Sequence, residues 1–404
     1  MSVTVALRRS QEPREMLSTC ANPRIARRAS DAYNRLVTRD STPSTPVILG
    51  IESSCDDTAC SIVDGDGRVL SSIVSSQLAA HRPFGGVVPE VASREHLVQW
   101  PAVSGRALED AGVTLEQVDA IAATQGPGLI GSLLVGLSLG RSLAYGRGIP
   151  FYAVHHLEAH LYSPFLSDDG SPAVAPVENF LGLVVSGGHT SLYRVQSGAV
   201  SNLAETRDDA IGEAFDKVGK RIGLPYPQGP RVDELAEAGD ERRFELPLPK
   251  LSDQSLDFSY SGLKSETVRR IEQLERDGEA IRIDEDKAAP QLALDLLASF
   301  RRAAVRQILS RLDRIRKRSG LGTLAVSGGV AANRLLRREL ERWAAEHDVD
   351  LRLVPLRFCG DNAAMIAHAA LLRHQRGDGG DDPRSVGASS RLPIPGSIEA
   401  HEIR

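Results

Sequence analysis

Aromatic side chains are scarce: 2 Trp, 7 Tyr and 9 Phe make up 4% of 404 residues. Any core must be built from aliphatic and small residues, and the 41% hydrophobic share supplies them. A folded chain of this length hides roughly three quarters of its unfolded surface. Cysteine is also rare. Cys20, Cys55, Cys60 and Cys359 stand at irregular spacings, which excludes a disulfide framework and a CxxC zinc site and points to reduced, cytoplasmic thiols. No apolar run reaches the roughly 18 residues of a membrane span. The most nonpolar stretch, around 120–145, is cut by Gln125, Arg141 and several glycines. No membrane partner is expected. Neither charge dominates: 48 Lys+Arg against 53 Asp+Glu give −5. This excludes a generally basic nucleic-acid coat but leaves cations enough for a local patch. What is present in quantity is glycine and proline, 36 and 22 residues, the mark of tight turns and close backbone approaches.

Residues 1–46 differ from the rest, with eight Arg, no Lys, four acids and the linker "STPSTP". They are expected to form a disordered extension, or to follow from an early start codon with Met16 as a later one; an Arg-rich transit peptide is the other reading. The fold begins at Val47. Val47–Glu52, Thr58–Val63 and Val69–Ser75 read as three strands, joined by "SSCDD" and by the hairpin signal "DGDG". A helix over 88–111, the strand "VDAIAATQGPG" and a small-residue helix over 130–146 follow. "NFLGLVVSGGHTSLYRVQSG" repeats the opening pattern, and helices are expected over 211–222 and 287–317. The duplication predicts an α/β protein of two related lobes with a cleft between them. The expected divisions are 47–155 for the first lobe, completed by the C-terminal helix region of about 350–375, then 156–349 for the second, and a loose tail over 376–404.

The strongest chemical signal is "HHLEAH". Four residues of helix return to one face, so His156 and His160 can share an ion, and imidazole suits first-row metals. Solvated or core histidines are the alternative. Asp361, in "FCGDNAAM", leaves an apolar strand just before a helix; it can be a simple cap or an oxygen ligand completing a two-His, one-carboxylate set. Glycine turns at strand ends, "VSGGHT", "SGGVAANR", "TQGPG" and "YPQGP", offer backbone N–H groups to phosphate oxygens. None matches a Walker loop or a dinucleotide fingerprint. Asp56 and Asp57 in "SSCDDT" can orient a nucleophile, bind a cation or cap their turn. Asp216 and Asp233 can accept ribose hydroxyls, or lie on ordinary amphipathic helices. Cys55 has no histidine partner in sequence and reads as structural.

Taken together, "GIESSCDDTA", "FGGVVPEVASREH", "QGPGLIGSLLVG", "HHLEAHLYSP", "VSGGHT", "DDAIGEAFDKVGK", "LDFSYSGLK", "SGGVAANR" and "CGDNAAMIA" resemble the universal tRNA threonylcarbamoyltransferase family, bacterial branch. The likeness runs in order over roughly 47–375. It implies a two-lobed actin/Hsp70/sugar-kinase-like fold with an iron-bearing cleft. The implied reaction moves a threonylcarbamoyl group from threonylcarbamoyl-AMP to N6 of the adenosine 3′ of the anticodon, in tRNAs reading codons that begin with A. It also implies two partner proteins, a shortened bacterial paralogue and a small ATPase. Carried over by position, His156, His160 and Asp361 correspond to metal ligands. Val184, Val185, Ser186, Gly187 and Gly188 correspond to the substrate loop, and Asp216, Gly229, Asp233 and Asn333 to further adenylate contacts. Asp56 corresponds to an acid that assists the attack. Two positions depart from the family pattern: Gln228 replaces a glycine before Gly229, and Ala363 replaces the glycine of "DNG". The small-residue span Leu129–Gly146 is a candidate face for the paralogue, or packs wholly inside its own lobe. A kinase or ATPase of the same fold and a non-catalytic scaffold are the competing classes; the retained His156, His160 and Asp361 speak against both.

Overall fold

The computed structural model describes residues 45–248, 255–284, 286–319 and 322–394. The chain divides into Met1–Thr45 and Pro46–Arg404. The expected N-terminal extension lies outside the described residues up to 44, and the same holds for the tail beyond 394.

Strands β1 (Ile48–Glu52), β2 (Asp57–Val63) and β3 (Val69–Ser76) form an antiparallel meander. Its second turn is fixed by Asp64, whose Oδ1 accepts from the Asp66 and Arg68 backbone N–H groups at 3.0 and 2.9 Å. The chain continues through α1 (Leu78–His81), α2 (Pro89–Ala111), β4 (Ala120–Gly126), α3 (Ile130–Arg147) and β5 (Phe151–His155). The sheet order is β3-β2-β1-β4-β5, with β4 parallel to both β1 and β5. Every residue of β1 is buried, as a central strand covered on both faces requires. Helix α3 gets close to the sheet through its glycines: a Cβ on Gly136 would meet Ser53 and Ile51, and one on Gly140 would meet Phe151 and Ala123.

After α4 (His156–Tyr162) the pattern recurs. Strands β6 (Asn179–Val185), β7 (Thr190–Gln196) and β8 (Ala199–Glu205) form a second meander. Helices α5 (Ile211–Arg221), α6 (Gln228–Leu235), α7 (Ser261–Arg276) and α8 (Gln291–Ser319) follow, then β9 (Thr323–Ser327), α9 (Arg334–His347), β10 (Asp350–Leu353) and α10 (Ala363–Gln375). The second sheet runs β8-β7-β6-β9-β10 from one edge to the other, with β9 parallel to β6 and β10. Position for position, this is the order and sense of the first sheet. The duplication read from the sequence is therefore real, and the architecture is the two-lobed α/β arrangement of actin, Hsp70 and the sugar kinases.

Two expectations about the C-terminal third are corrected. The region 350–375 divides: β10 pairs with β9 in the second sheet, while α10 returns to the first. A Cβ on Gly50 of β1 would strike the carbonyl of Ala363 and the backbone of Ala367, so only glycine admits the helix this closely. The segment from 376 to 394 is not loose. The Asp381 backbone N–H donates to Phe151 O at 2.7 Å, and its Oδ2 accepts from Ala153 N at 2.8 Å. Ser389 N donates to Gln125 O at 3.0 Å, and Ile394 is buried. Its polar composition hid a strand-edge role carried by backbone hydrogen bonds, which composition does not encode.

Candidate metal centre and substrate loops

Helix α4 starts directly off β5, and His155 makes the junction. Its Nδ1 accepts from Leu157 N at 3.2 Å and Glu158 N at 3.4 Å, and its Nε2 donates to Leu392 O at 2.8 Å. Its lone pair is committed to capping, so His155 points away from any ion. His156 and His160 share the inner face of α4, their rings edge-to-face with centroids 4.8 Å apart. Asp361 comes to them from the loop before α10. Its Oδ1 lies 3.2 Å from His160 Nε2 and 3.5 Å from His156 Nε2. One ligand atom from each of the three lies within 4.8 Å of the others. Neighbouring ligands on one ion with bonds near 2.1 Å stand about 3.0 to 3.4 Å apart. The 3.2 and 3.5 Å separations match that spacing and the third lies within 4.8 Å, so a small closure brings the three residues onto one metal ion.

Sequence reading missed the residue that orients this set. Glu52 ends β1 and is fully buried. Its Oε2 accepts from His156 Nδ1 at 3.0 Å and from Thr124 Oγ1 at 2.7 Å. Its Oε1 accepts from Ser54 N. An ionised carboxylate only accepts, so Glu52 holds a His156 proton on Nδ1 and leaves Nε2 as the ring nitrogen facing Asp361. This is the carboxylate–histidine support that metal-ligating imidazoles require. The available signal was a lone acid closing an otherwise apolar strand. Burial opposes every charge here, yet Asp361 and Glu52 together push His156 up to about 9. Burial likewise works against Asp361, but His156 and His160 hold it well below the usual carboxylate range.

The substrate-loop candidates lie at the end of β6. Val184 and Val185 are buried, whereas Gly187 and Gly188 are exposed, with open space where a Cβ would stand. The Ser186–His189 turn closes on itself through Ser186 N to His189 O at 2.8 Å and His189 N to Ser186 Oγ at 3.1 Å. Gly328, at φ +92°, lies so close that a Cβ would strike Val185 O. The two glycine turns that looked separate in sequence are thus packed together.

The remaining candidates form two clusters at opposite ends of α6. At its start, Asp216 Oδ1 accepts from Gln228 N at 3.0 Å and Gly229 N at 2.8 Å. At its end, Asp233 accepts from Arg301 Nη1 at 2.8 Å and, through Oδ2, from Arg334 N at 3.0 Å. Asn333 next to it caps α9 by accepting from Leu336 N at 2.9 Å. These hydrogen bonds tie the two ends of α6 to the neighbouring elements. The departures from the family pattern are accommodated. Gln228 is buried and has no positive φ, and Gly219 provides the room its Cβ occupies. Ala363 opens α10 behind Asn362, which caps it by accepting from Met365 N at 3.0 Å; alanine is the better helix former there.

Asp56 lies half-buried in the β1–β2 turn, its Oδ2 accepting from Tyr226 Oη at 3.5 Å. The turn is held by His96, whose Nε2 donates to Cys55 O at 3.1 Å and whose Nδ1 accepts from Thr58 Oγ1 at 2.7 Å. Burial, with Asp361 and Asp56 adding to it, pushes Asp57 up to about 7. Burial and Asp56 push the Cys55 thiol above its ordinary value. A thiol held protonated in this way is a poor nucleophile.

The family described as tRNA N6-adenosine threonylcarbamoyltransferase matches residues 68–368. The chain belongs to that family. It is 47% identical over 346 residues to the tRNA N6-adenosine threonylcarbamoyltransferase of Syntrophobacter fumaroxidans, spanning 85% of this chain and 99% of that protein. It is 44% identical over 353 residues to the protein of the same name from Nostoc sp., spanning 86% and 97%. Among solved structures, HypF of T. kodakarensis superposes with a TM-score of 0.53 at 14% identity, over 83% of this chain and 48% of that one. That likeness concerns the fold alone.

Proposed function

We propose that His156, His160 and Asp361 hold one first-row metal ion, iron, in the transferase reaction of this family. The enzyme moves a threonylcarbamoyl group from threonylcarbamoyl-AMP to N6 of the adenosine 3′ of the anticodon in tRNA, forming N6-threonylcarbamoyladenosine and AMP. The observation that carries the metal assignment is the convergence of the three ligand atoms within 4.8 Å, with Glu52 fixing the tautomer of His156. When bound, the ion supplies Lewis-acid orientation of an oxygen of the threonylcarbamoyl group.

The chain's own residues do the rest. The exposed backbone of Gly187 and Gly188 and the Gly328 turn beside it receive the adenylate and hold it against the acceptor. In the transfer, the N6–carbon bond forms as the carbon–oxygen bond to the phosphate breaks. The amine gives up one proton and AMP leaves with the electron pair. Asp56, beside Tyr226, is the acceptor for that proton. Asp216, Gly229, Asp233 and Asn333 position the adenosine of the donor. Holding both reactants in line accounts for much of the rate.

Among the described residues, no helix is long and apolar enough to cross a membrane. With tRNA as acceptor, the enzyme works in the cytoplasm, together with a shortened paralogue and a small ATPase. Metal content tests the ligand set. Purified wild type should carry about one ion per chain and Asp361→Ala far less, with the fold retained by circular dichroism. Equal metal in both proteins would remove Asp361 from the site.

A further inference from the structure

Between β3 and α2 the chain makes an ordered loop whose first residue, Gln77, is anchored to the Asp56 turn. Gln77 N donates to Asp56 O at 3.0 Å, and the His81 ring, buried behind it, accepts from Val88 N at 3.3 Å. This contact draws 82–88 into a closed tip. At the tip stand Arg82 and Phe84, both exposed, with 61% of Phe84 in solvent. Gly85, at φ +67°, turns the chain so closely past the second lobe that Lys220 Nζ lies 3.3 Å from where its Cβ would be. Lys220 is exposed on α5, one helical turn after Asp216 and on the same face. The tip therefore sits between the Asp56 turn and the Asp216 face.

Neither Arg82 nor Lys220 has an ion-pair partner among the described residues, whereas Lys217, one turn earlier, is paired with Asp209 and Glu213. Glu90, the acid nearest Arg82 in sequence, lies in the first turn of α2, where the helix N-terminus accommodates it. A solvent-exposed aromatic flanked by two unpaired cations is a poor core element and a poor fit to an apolar protein face. It suits unstacked bases and their phosphates, the way proteins take hold of single-stranded RNA loops.

We infer that Phe84, Arg82 and Lys220 form the platform for the anticodon loop of the acceptor tRNA. A base neighbouring the target adenosine stacks on Phe84, and the flanking phosphates are held by Arg82 and Lys220. This rests on the transferase reading, since a platform at this place has use only if a base enters beside Asp56.

The test uses the full chain with its partner proteins and an unmodified tRNA transcript. Binding is followed by fluorescence anisotropy, and product by nucleoside mass spectrometry. Phe84→Ala should weaken tRNA binding, and raise KM for tRNA, about tenfold. Phe84→Tyr should restore both. Lys220→Ala should weaken binding and flatten its salt dependence by about one phosphate contact. Metal content should be unchanged in all three. Wild-type tRNA affinity in Phe84→Ala and Lys220→Ala would overturn the platform. Unchanged tRNA affinity with loss of a partner protein in Phe84→Ala would do the same, making Phe84 a protein contact. If Phe84→Ala weakens tRNA binding but no wild-type product forms, Phe84 is an RNA contact, and its assignment to the acceptor loop falls with the transferase reading. If product forms with KM unchanged in Phe84→Ala, only the platform falls.

Discussion

A carboxylate ending an apolar strand with no exposure costs several kcal/mol unless its lone pairs are occupied. At Glu52 they are, by Ser54 N, Thr124 Oγ1 and His156 Nδ1. Replacing it with glutamine keeps the shape but removes the charge that fixes the His156 tautomer. Glu52→Gln should therefore lose about 10- to 100-fold in metal affinity, measured by competition with a chelator. Unchanged affinity would reduce Glu52 to a packing residue. His368, on α10, is a different kind of buried polar group: neither ring nitrogen has a hydrogen-bond partner among the described residues, and burial lowers its pKa from 6.5 to about 4. Between those values the unfolded chain takes up a proton that the folded chain refuses, so stability falls as pH drops through that window. The full loss is about 3 kcal/mol. Urea unfolding near pH 7 and near pH 5 should show a smaller pH effect in His368→Leu than in wild type. The same pH effect in both would show that His368 does not titrate on unfolding.

At the scale of elements, helix α3 shows what pattern alone reveals and what it does not. Its small residues predicted close packing, and Gly136 and Gly140 do pack on the sheet. The same helix also presents Ile130, Leu134 and Tyr145 to solvent, 49%, 50% and 66% exposed, beside Leu97 of α2 at 61%. The span Leu129–Gly146 therefore does not pack wholly inside the lobe: one face meets the sheet and the other meets solvent. A shallow depression lined by Leu97, Leu134, Val135, Ser138, Leu139 and Ser142 lies on that exposed face, where contact with the expected paralogue can be tested. Leu134→Asp should abolish the heterodimer by light scattering at micromolar concentration and leave the isolated chain folded. A heterodimer of wild-type strength would clear this face of the role. The meanders, the His156–His160 spacing and the glycine turns were legible because each depends on local sequence. The partner of His156 was not, because 104 residues separate it from Glu52. Nor was the docking of 376–394, because its contacts are made by backbone.

For the whole molecule, the two sheets of one topology place the carboxyl ends of β1, β4 and β5 and of β6 and β9 where the functional turns emerge, as open α/β sheets place their ligands. The first sheet and its helix bring Glu52, Asp56, His156 and His160. The second brings the Ser186–His189 and Gly328 turns, and the helices after it bring Asp216 and Asp233. Asp361 lies on the return from one to the other. The central claim is that this combined site transfers a threonylcarbamoyl group to tRNA with His156, His160 and Asp361 as metal ligands. The most direct test supplies threonylcarbamoyl-AMP, the partner proteins and unmodified tRNA to wild type and to His160→Ala, and reads nucleosides by mass spectrometry. Wild type should yield N6-threonylcarbamoyladenosine and AMP, and folded His160→Ala should yield neither above background. A folded wild type that makes no modified nucleoside while hydrolysing ATP freely would contradict the account.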